Sequence, residues 1–240
     1  MTRVRVLAHN DTEWAMNDAA ARPLSRLLDG LPSPDRERAD GVLAQCPIVE
    51  LDRRAPHYQP AFAGTAFLVV EEGFVVVRAT FAPSVRSVVT VDAGPGAVVL
   101  PPGADEVLLA LGPSRVTAVS AEARDRLLTW PVLAGRIVEQ LAFGLAQRQE
   151  ALADFAPTRH TERVRRKLLQ LARRYGHVVR DGIRIDFPLS HALLAEMVGS
   201  SRETVTRALD ELERDRFVVR AGSTYRLLVS PASLVASSQP

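Results

Sequence analysis

Residues 189–219 read LSHALLAEMVGSSRETVTRALDELERDRFVV, and only a few residues around Gly199 separate two helical patterns in this stretch. Glycine supplies the tight turn that a helix-turn-helix needs between its helices. An apolar stripe at helical spacing marks the inward face of the second helix: Val205, Ala208, Leu209 and Leu212. The stretch therefore predicts a helix-turn-helix whose second helix presents its other face to DNA.

The outward face of this second helix carries five polar residues, Arg202, Glu203, Thr206, Arg207 and Asp210. Arginine donates two hydrogen bonds to O6 and N7 of guanine, and glutamate accepts one from the N4 amino group of cytosine. We therefore predict that Arg202, Glu203 and Arg207 read G·C-containing steps, each with about 1 to 3 kcal/mol of discrimination. Two alternatives stay open: a capping box at residues 200–203 that engages Glu203, or an ordinary solvated helix face.

The flanking sequence predicts a winged helix around this motif. Upstream, residues 162–176 form an amphipathic helix with Val164, Leu168 and Leu171 inside, and residues 177–187 form a hairpin with a two-residue turn at Asp181-Gly182. Downstream, residues 217–229 form a second hairpin that turns at 221–223. Pro157 breaks the preceding helix and predicts a hinge.

The charge of the chain is divided unevenly. Of its 30 Lys plus Arg and 28 Asp plus Glu, residues 159–229 hold 15 and 9, which leaves 15 and 19 for the remainder. A basic segment on an otherwise acidic protein is expected of a nucleic-acid-binding module.

A different pattern precedes this basic segment. Short runs rich in Val and Leu, separated by Gly and Pro turns, extend over residues 66–119 and predict an antiparallel sandwich or barrel of about six to eight strands. One or two short helices are predicted within 22–50, and another after Ser120. Residues 66–119 contain no histidine, which argues against a cupin-like catalyst in this region, and no catalytic residues are predicted.

A long helix is predicted from Pro131 to about residue 155. Its apolar stripe is close to a coiled-coil seam and predicts a dimer interface: Leu133, Ile137, Leu141, Leu145 and Leu152. The alternative is that this stripe packs on the β-domain of its own chain.

The composition limits the cofactors, metal sites and membrane segments that the chain could have. The single cysteine, Cys46, excludes an internal disulfide, an iron–sulfur cluster and a cysteine-based zinc site, and no metal site is predicted. Haem ligation would depend on scattered candidates such as His57 or Cys46. No apolar run is long enough for a membrane span and no signal peptide is recognised, so we expect a cytoplasmic protein without a membrane partner.

The string Ser201 to Arg207, SRETVTR, resembles the recognition helix of the bacterial Crp/Fnr family of transcription factors, which typically reads Ser-Arg-Glu-Thr-Val-x-Arg. The resemblance is close over 189–219 and extends by domain order over 22–229. It implies an α+β protein with a degenerate cyclic-nucleotide-binding-like β-roll or jelly-roll sensor domain at 1–120, a helical linker and dimerisation helix at 121–156, a winged helix-turn-helix at 157–229 and a flexible tail at 230–240. It also implies a homodimer on an inverted-repeat site in double-stranded DNA, and contact with RNA polymerase at promoters.

The resemblance assigns roles to individual residues. Arg202, Glu203 and Arg207 are expected to contact bases, and four residues to contact phosphates: Ser201, Thr204, Thr206 and His191. His191 stands where some members place a phosphate-contacting arginine.

The β-domain departs from the family where relatives bind cyclic nucleotides. Relatives carry a Gly-Glu pair followed by an Arg-Ser or Arg-Thr pair, whereas residues 96–106 here read GAVVLPPGADE, with Ala97 and Ala104 at the glutamate and arginine sites. Cyclic AMP is therefore not expected to bind in the usual manner, and no cofactor is required. The remaining alternatives are an effector-independent regulator, or one that senses another small ligand, for example a different nucleotide, between the β-roll and the long helix. Arg148 is the candidate cation for such an anionic ligand.

Overall fold

A computed structural model describes residues 5–7, 25–53, 55–80, 87–153, 159–221 and 224–230. Its strands are β1 Arg5–Leu7, β2 Ile48–Leu51, β3 Pro56–His57, β4 Thr65–Glu72, β5 Val75–Ala79, β6 Val88–Ala93, β7 Val98–Val99, β8 Glu106–Ala110, β9 Ser114–Ser120, β10 Gly176–Val179, β11 Gly182–Ile185, β12 Val218–Ala221 and β13 Thr224–Leu227. Its α-helices are α1 Ser25–Leu28, α2 Ser33–Ala44, α3 Ala121–Leu127, α4 Pro131–Ala153, α5 His160–Tyr175, α6 His191–Met197 and α7 Arg202–Arg214. The chain divides into two compact units, one within 1–80 and 90–148 and the other within 81–89 and 149–240.

Two antiparallel sheets build the first unit, with strand orders β1-β2-β9-β4-β7 and β3-β8-β5-β6. Alternate residues of both sheets, such as Leu68 and Val116 from one and Val77 and Leu108 from the other, belong to one buried cluster. The sandwich predicted from the apolar runs is confirmed, and six of the strands, β4 to β9, lie between Thr65 and Ser120.

The other face of the first sheet is covered by helices. Phe67 and Val69 of β4 alternate with the residues that face the second sheet, and they pack in a separate cluster with side chains of α1, α2, α3 and α4. The short helices predicted within 22–50 are α1 and α2, and Gly30 between them has φ of +72°, a left-handed conformation that glycine adopts without steric cost.

The long helix was predicted correctly, but its dimer seam was partly wrong. Leu133 and Ile137 are buried in the helix-covered cluster of their own unit, and Leu141 packs partly buried against it. Leu145, by contrast, is 55% exposed. A straight α-helix turns 100° per residue, so the four-residue spacings 133, 137, 141 and 145 drift around the helix instead of staying on one face. The side chain of Leu152 lies outside the described residues.

The outward face of α4 therefore combines Leu145 of the predicted seam with residues that were not predicted. Val132, Val138 and Leu145 are 50%, 61% and 55% exposed. Gly135 and Ala142 lie between them and are also exposed, and the positions 135, 138, 142 and 145 follow the 3-4-3 spacing of a heptad seam. We call Val132, Gly135, Val138, Ala142 and Leu145 the outer stripe.

The second unit contains the predicted winged helix. Val164, Leu168 and Leu171 of α5 are buried, as are Val205, Ala208, Leu209 and Leu212 of α7, so both predicted inner faces are confirmed. Four short strands in the order β10-β11-β13-β12 complete the unit. Pro157 and residues 231–240, for which a hinge and a tail were predicted, lie outside the described residues.

The first hairpin turns one residue earlier than predicted. Val179 pairs with Gly182, so its two-residue turn is Arg180-Asp181 and Gly182 already belongs to β11. Gly182 has φ of +134°, and a Cβ there would lie 2.0 Å from the carbonyl oxygen of Leu227 on β13. Glycine is needed at this strand position both for its positive φ and because the neighbouring strand approaches closely. In the second hairpin Ala221 pairs with Thr224, which places Ala221 in the strand instead of the turn.

Candidate nucleic-acid interface

The turn before α7 is built by glycine and serine. Gly199 has φ of +58°, and the Ser200 N–H donates to the carbonyl oxygen of Ala195 at 2.9 Å. Ser201 is the N-cap of α7, and its Oγ accepts from the Thr204 N–H at 3.1 Å. These contacts fix the angle at which α7 leaves α6.

Glu203 does not occupy the position that a capping box requires. Because the N-cap is Ser201, Glu203 is the second residue of the helix, whereas the reciprocal contact needs the third, which is Thr204. The capping-box alternative was therefore wrong by one residue. Arg202, Glu203 and Arg207 are all exposed. At 100° per residue, Glu203 and Arg207 lie opposite the buried stripe, and Arg202 lies in the first turn of the helix.

Ser201 and Thr204, both predicted to contact phosphates, lie together at the N-terminus of α7. Their hydroxyl oxygens are 2.9 Å apart. The first-turn amides of a helix and its macrodipole favour an anion at this end. The two hydroxyls therefore lie where a phosphate oxygen would be stabilised.

Thr206 and His191 are brought together by the packing of α6 on α7. Thr206 Oγ1 donates to the carbonyl oxygen of Arg202 at 2.9 Å, which uses its single hydrogen. His191 Nδ1 lies 2.9 Å from the same Oγ1, so this nitrogen must be the donor. The contact selects the tautomer of His191 with hydrogen on Nδ1.

The other ring nitrogen of His191 faces the wing. Arg220 on β12 donates from Nη1 to His191 Nε2, which the Nδ1–H tautomer leaves as an acceptor. Burial lowers the pKa of His191, and the positive charges of Arg220 and Arg202 lower it further, while Asp210 and Glu213 raise it. His191 is therefore neutral at neutral pH, and the cation at this position is Arg220.

Arg220 is a residue that the sequence analysis missed. The alternation of FVVRAG in the second hairpin could have indicated an outward side chain, but nothing in the sequence pairs this strand with the start of α6. The structure places Arg220, Arg202, His191 and Thr206 in one connected group.

The candidate sensor residues are either paired or buried within the first unit. Arg148 donates from Nε and Nη2 to the two carboxylate oxygens of Glu106, both at 3.2 Å. His57 on β3 is 2% exposed, and burial lowers its pKa. Cys46 is buried, its Sγ donates to the Val42 carbonyl oxygen at 3.5 Å, and burial raises the pKa of its thiol. Within the described ranges no three His, Cys, Asp or Glu side chains cluster in a way that could hold a metal ion.

Comparison with known families and curated proteins identifies the C-terminal part of the chain. Residues 162–236 match a family model described as a Crp-like helix-turn-helix domain. The "CRP-like cAMP-activated global transcriptional regulator" of Mycobacterium tuberculosis is 32% identical over 127 residues, which cover 51% of this chain and 55% of that protein. The "Global nitrogen regulator" of Synechocystis sp. is 49% identical over 51 residues, which cover 21% of this chain and 23% of that protein. The matches thus span about half or less of these curated relatives.

Solved structures share the fold over most of the chain. A CooA mutant from Carboxydothermus hydrogenoformans superposes with a TM-score of 0.68 at 18% identity, over 83% of this chain and 90% of that one. The c-di-GMP responsive global regulator CLP of Xanthomonas campestris gives 0.62 at 21% identity, over 83% and 100%. At these identities the likeness shows the fold alone. No helix in the described part of the chain is both long and apolar enough to span a bilayer.

Proposed function

Residues 162–236 are a Crp-like helix-turn-helix domain, carried on a chain with the fold of Crp/Fnr regulators, and from this premise we propose that the protein is a sequence-specific DNA-binding transcriptional regulator. The observation that carries the proposal is the outward face of α7. Arg202, Glu203 and Arg207 are exposed on this helix, while its apolar stripe is buried. This helix enters the major groove, and the three side chains contact G·C-containing steps.

Around these base contacts, phosphate contacts set the position of α7 on the duplex. Ser201 and Thr204 bind a phosphate at the N-terminus of the helix. At the other phosphate position Arg220 supplies the charge, and His191 with Thr206 orients it through the hydrogen bonds described above. The wing residue Arg220 thus joins the phosphate contacts for which His191 and Thr206 were predicted.

The regulator acts as a homodimer that pairs through the outer stripe of α4. Valine and leucine side chains of this stripe are half or more exposed in the single chain, and small residues between them allow close approach of a second helix. Seam positions every 3.5 residues on two copies of α4 interdigitate in a coiled coil. A two-fold dimer presents two copies of α7 to successive major grooves about 34 Å apart, so its site is an inverted repeat.

The bound dimer contacts RNA polymerase when its site lies at a promoter. According to its name, the relative from Mycobacterium tuberculosis is activated by cyclic AMP. This chain does not bind cyclic AMP in the usual manner, because Ala97 and Ala104 supply neither the carboxylate nor the guanidinium for that ligand. The protein needs no cofactor to bind DNA. The second candidate, a regulator that senses another small ligand at Arg148, is less favoured because Glu106 pairs with that side chain.

Two steps test the proposal. Fragmented genomic DNA from the source organism is passed over the immobilised protein without added ligand, and retained fragments are sequenced. Fluorescence anisotropy then compares a retained site with its scrambled sequence at one fixed salt concentration. A specific regulator binds its site about 10³-fold or more tightly than scrambled DNA. A ratio near one contradicts sequence reading and identifies a nonspecific binder.

A further inference from the structure

The carboxylate of Glu106 has more hydrogen-bond donors around it than a surface ion pair has. Gly103 donates its backbone N–H to Oε2 at 3.0 Å, and Arg148 donates Nη2 to the same oxygen and Nε to Oε1, both at 3.2 Å. Thr90 Oγ1 lies 3.3 Å from Oε1. The side chains of Arg148 and Glu106 are only 20% and 17% exposed. In this mostly desolvated position Oε2 has two donors, and Oε1 has one donor from Arg148 and lies within reach of the Thr90 hydroxyl.

These donors come from three separate segments of the β-domain. Gly103 belongs to the loop before β8, Thr90 to β6 and Arg148 to α4. The Thr90 hydroxyl also lies 3.3 Å from the Val77 carbonyl oxygen, so the two acceptors share its hydrogen. The hydrogen bonds from Arg148 and Gly103 hold the pKa of Glu106 below its usual value, against the opposing effect of burial. The carboxylate is ionised and is bound as an anion.

The same segment of α4 is attached to the sheets by two glutamines. Gln140 accepts from the Val98 N–H at 3.0 Å, and the buried Gln147 accepts from the Asp92 N–H at 3.0 Å. Neither contact involves a charge. The ion pair between Arg148 and Glu106 adds a charged contact between α4 and the sheets. Arg148 follows Gln147 directly in the sequence and is the last residue of the first unit.

We propose that Thr90, the Gly103 N–H and Arg148 form an anion-binding site whose ligand is the chain's own Glu106. The internal carboxylate holds α4 against the β-domain without any external molecule. An external carboxylate or phosphate must displace it, at the cost of leaving Glu106 charged and unpaired in a desolvated position. The site is therefore closed to small anions in the wild-type protein and opens when the carboxylate is removed. This proposal concerns the first unit and does not depend on DNA binding.

Chemical rescue of Glu106→Ala tests the proposal. Both tryptophans, Trp14 and Trp130, lie outside residues 159–229 in the sequence. Trp130 packs against the helix-covered cluster, so thermal unfolding followed by tryptophan fluorescence reports the first unit through this residue. Sodium acetate is added in increasing amounts while sodium chloride keeps the ionic strength constant. Asp105→Ala is the matched control, because Asp105 is the exposed neighbouring carboxylate.

We expect Glu106→Ala to lower the Tm by about 5 °C, and acetate to restore part of this loss in a saturable manner. The wild type, Asp105→Ala and the double variant Glu106→Ala with Arg148→Ala should show no acetate response. Inorganic phosphate should leave the Tm of the wild type unchanged.

Three outcomes overturn the proposal. The first is an acetate response of the double variant equal to that of Glu106→Ala, and the second is a saturable Tm increase of the wild type with phosphate. Glu106→Gln keeps the shape of the side chain without its charge and covers the case in which the alanine variant does not fold. The third outcome is a Glu106→Gln variant that is as stable as the wild type, because the charge of Glu106 then does not hold α4.

Discussion

Two neighbouring residues of α4 should respond in opposite ways to substitution, because Ile137 faces its own β-domain and Val138 faces outward. Ile137 is 2% exposed, whereas Val138 is 61% exposed. Ile137→Ala removes three buried carbon atoms, which is about 2.4 kcal/mol of transfer free energy, and the cavity left behind raises the loss to about 3 to 4 kcal/mol. Val138→Glu removes almost no buried area within the chain, so the monomer should change by less than about 0.5 kcal/mol.

Urea unfolding followed by tryptophan fluorescence measures the first effect, and sedimentation velocity measures the oligomeric state. We expect Ile137→Ala to remain a dimer of lower stability. Val138→Glu should sediment as a monomer, because two glutamates facing each other across a helix pair repel and lose solvation. Its Tm should also no longer depend on protein concentration. A monomeric Ile137→Ala, or a Val138→Glu that is still a dimer, would refute the assignment of the outer stripe.

Further predictions concern the second unit. Arg216 has φ of +55° at the C′ position of α7, where its N–H donates to the Glu213 carbonyl oxygen, so Arg216→Gly should raise the free energy of unfolding by about 0.5 to 1 kcal/mol in a urea titration. Ser201→Ala removes the N-cap acceptor of α7 and should cost about 1 kcal/mol in the same assay, and no change would contradict its capping role. The pKa of His191 is lowered from 6.5, so the unfolded chain binds more protons between the lowered pKa and 6.5, and stability should rise with pH across that window and level off above it. Arg220→Ala removes one of the charges that lower this pKa and should shift the histidine NMR titration upward, whereas an unchanged titration would show that the two side chains are not in contact in solution.

The helix-turn-helix could be predicted in detail because its information is local. Val205, Leu209 and Leu212 follow the helical period and all lie on the single buried face of α7, and Gly199 marks the turn. The α4 helix was equally clear as a helix, but its apolar residues lie on two faces. Periodicity locates such residues on a helix without showing which face meets the parent domain, and here the contacts of Gln140 and Gln147 with backbone amides decide it.

Other features could not be predicted because they depend on residues far apart in the chain. Gly182 was assigned to a turn since Asp-Gly favours one, whereas the approach of Leu227 explains it. The link between His191 and Arg220 spans 29 positions, and that between Glu106 and Arg148 spans 42. Each depends on how helices and strands pack, which spacing along the sequence does not record.

The central claim, that α7 reads base sequence, is tested most directly by selecting bound sequences from a random double-stranded DNA pool without added ligand. The wild type is compared with Arg202→Ala and with the control Arg214→Ala, an exposed arginine on the same helix and about 18 Å from residue 202 along its axis. We predict that the wild type and Arg214→Ala enrich the same two-fold-symmetric motif, and that Arg202→Ala loses preference at one G·C position in each half-site. Enrichment of an identical motif by Arg202→Ala, or of no motif by the wild type, would contradict the claim.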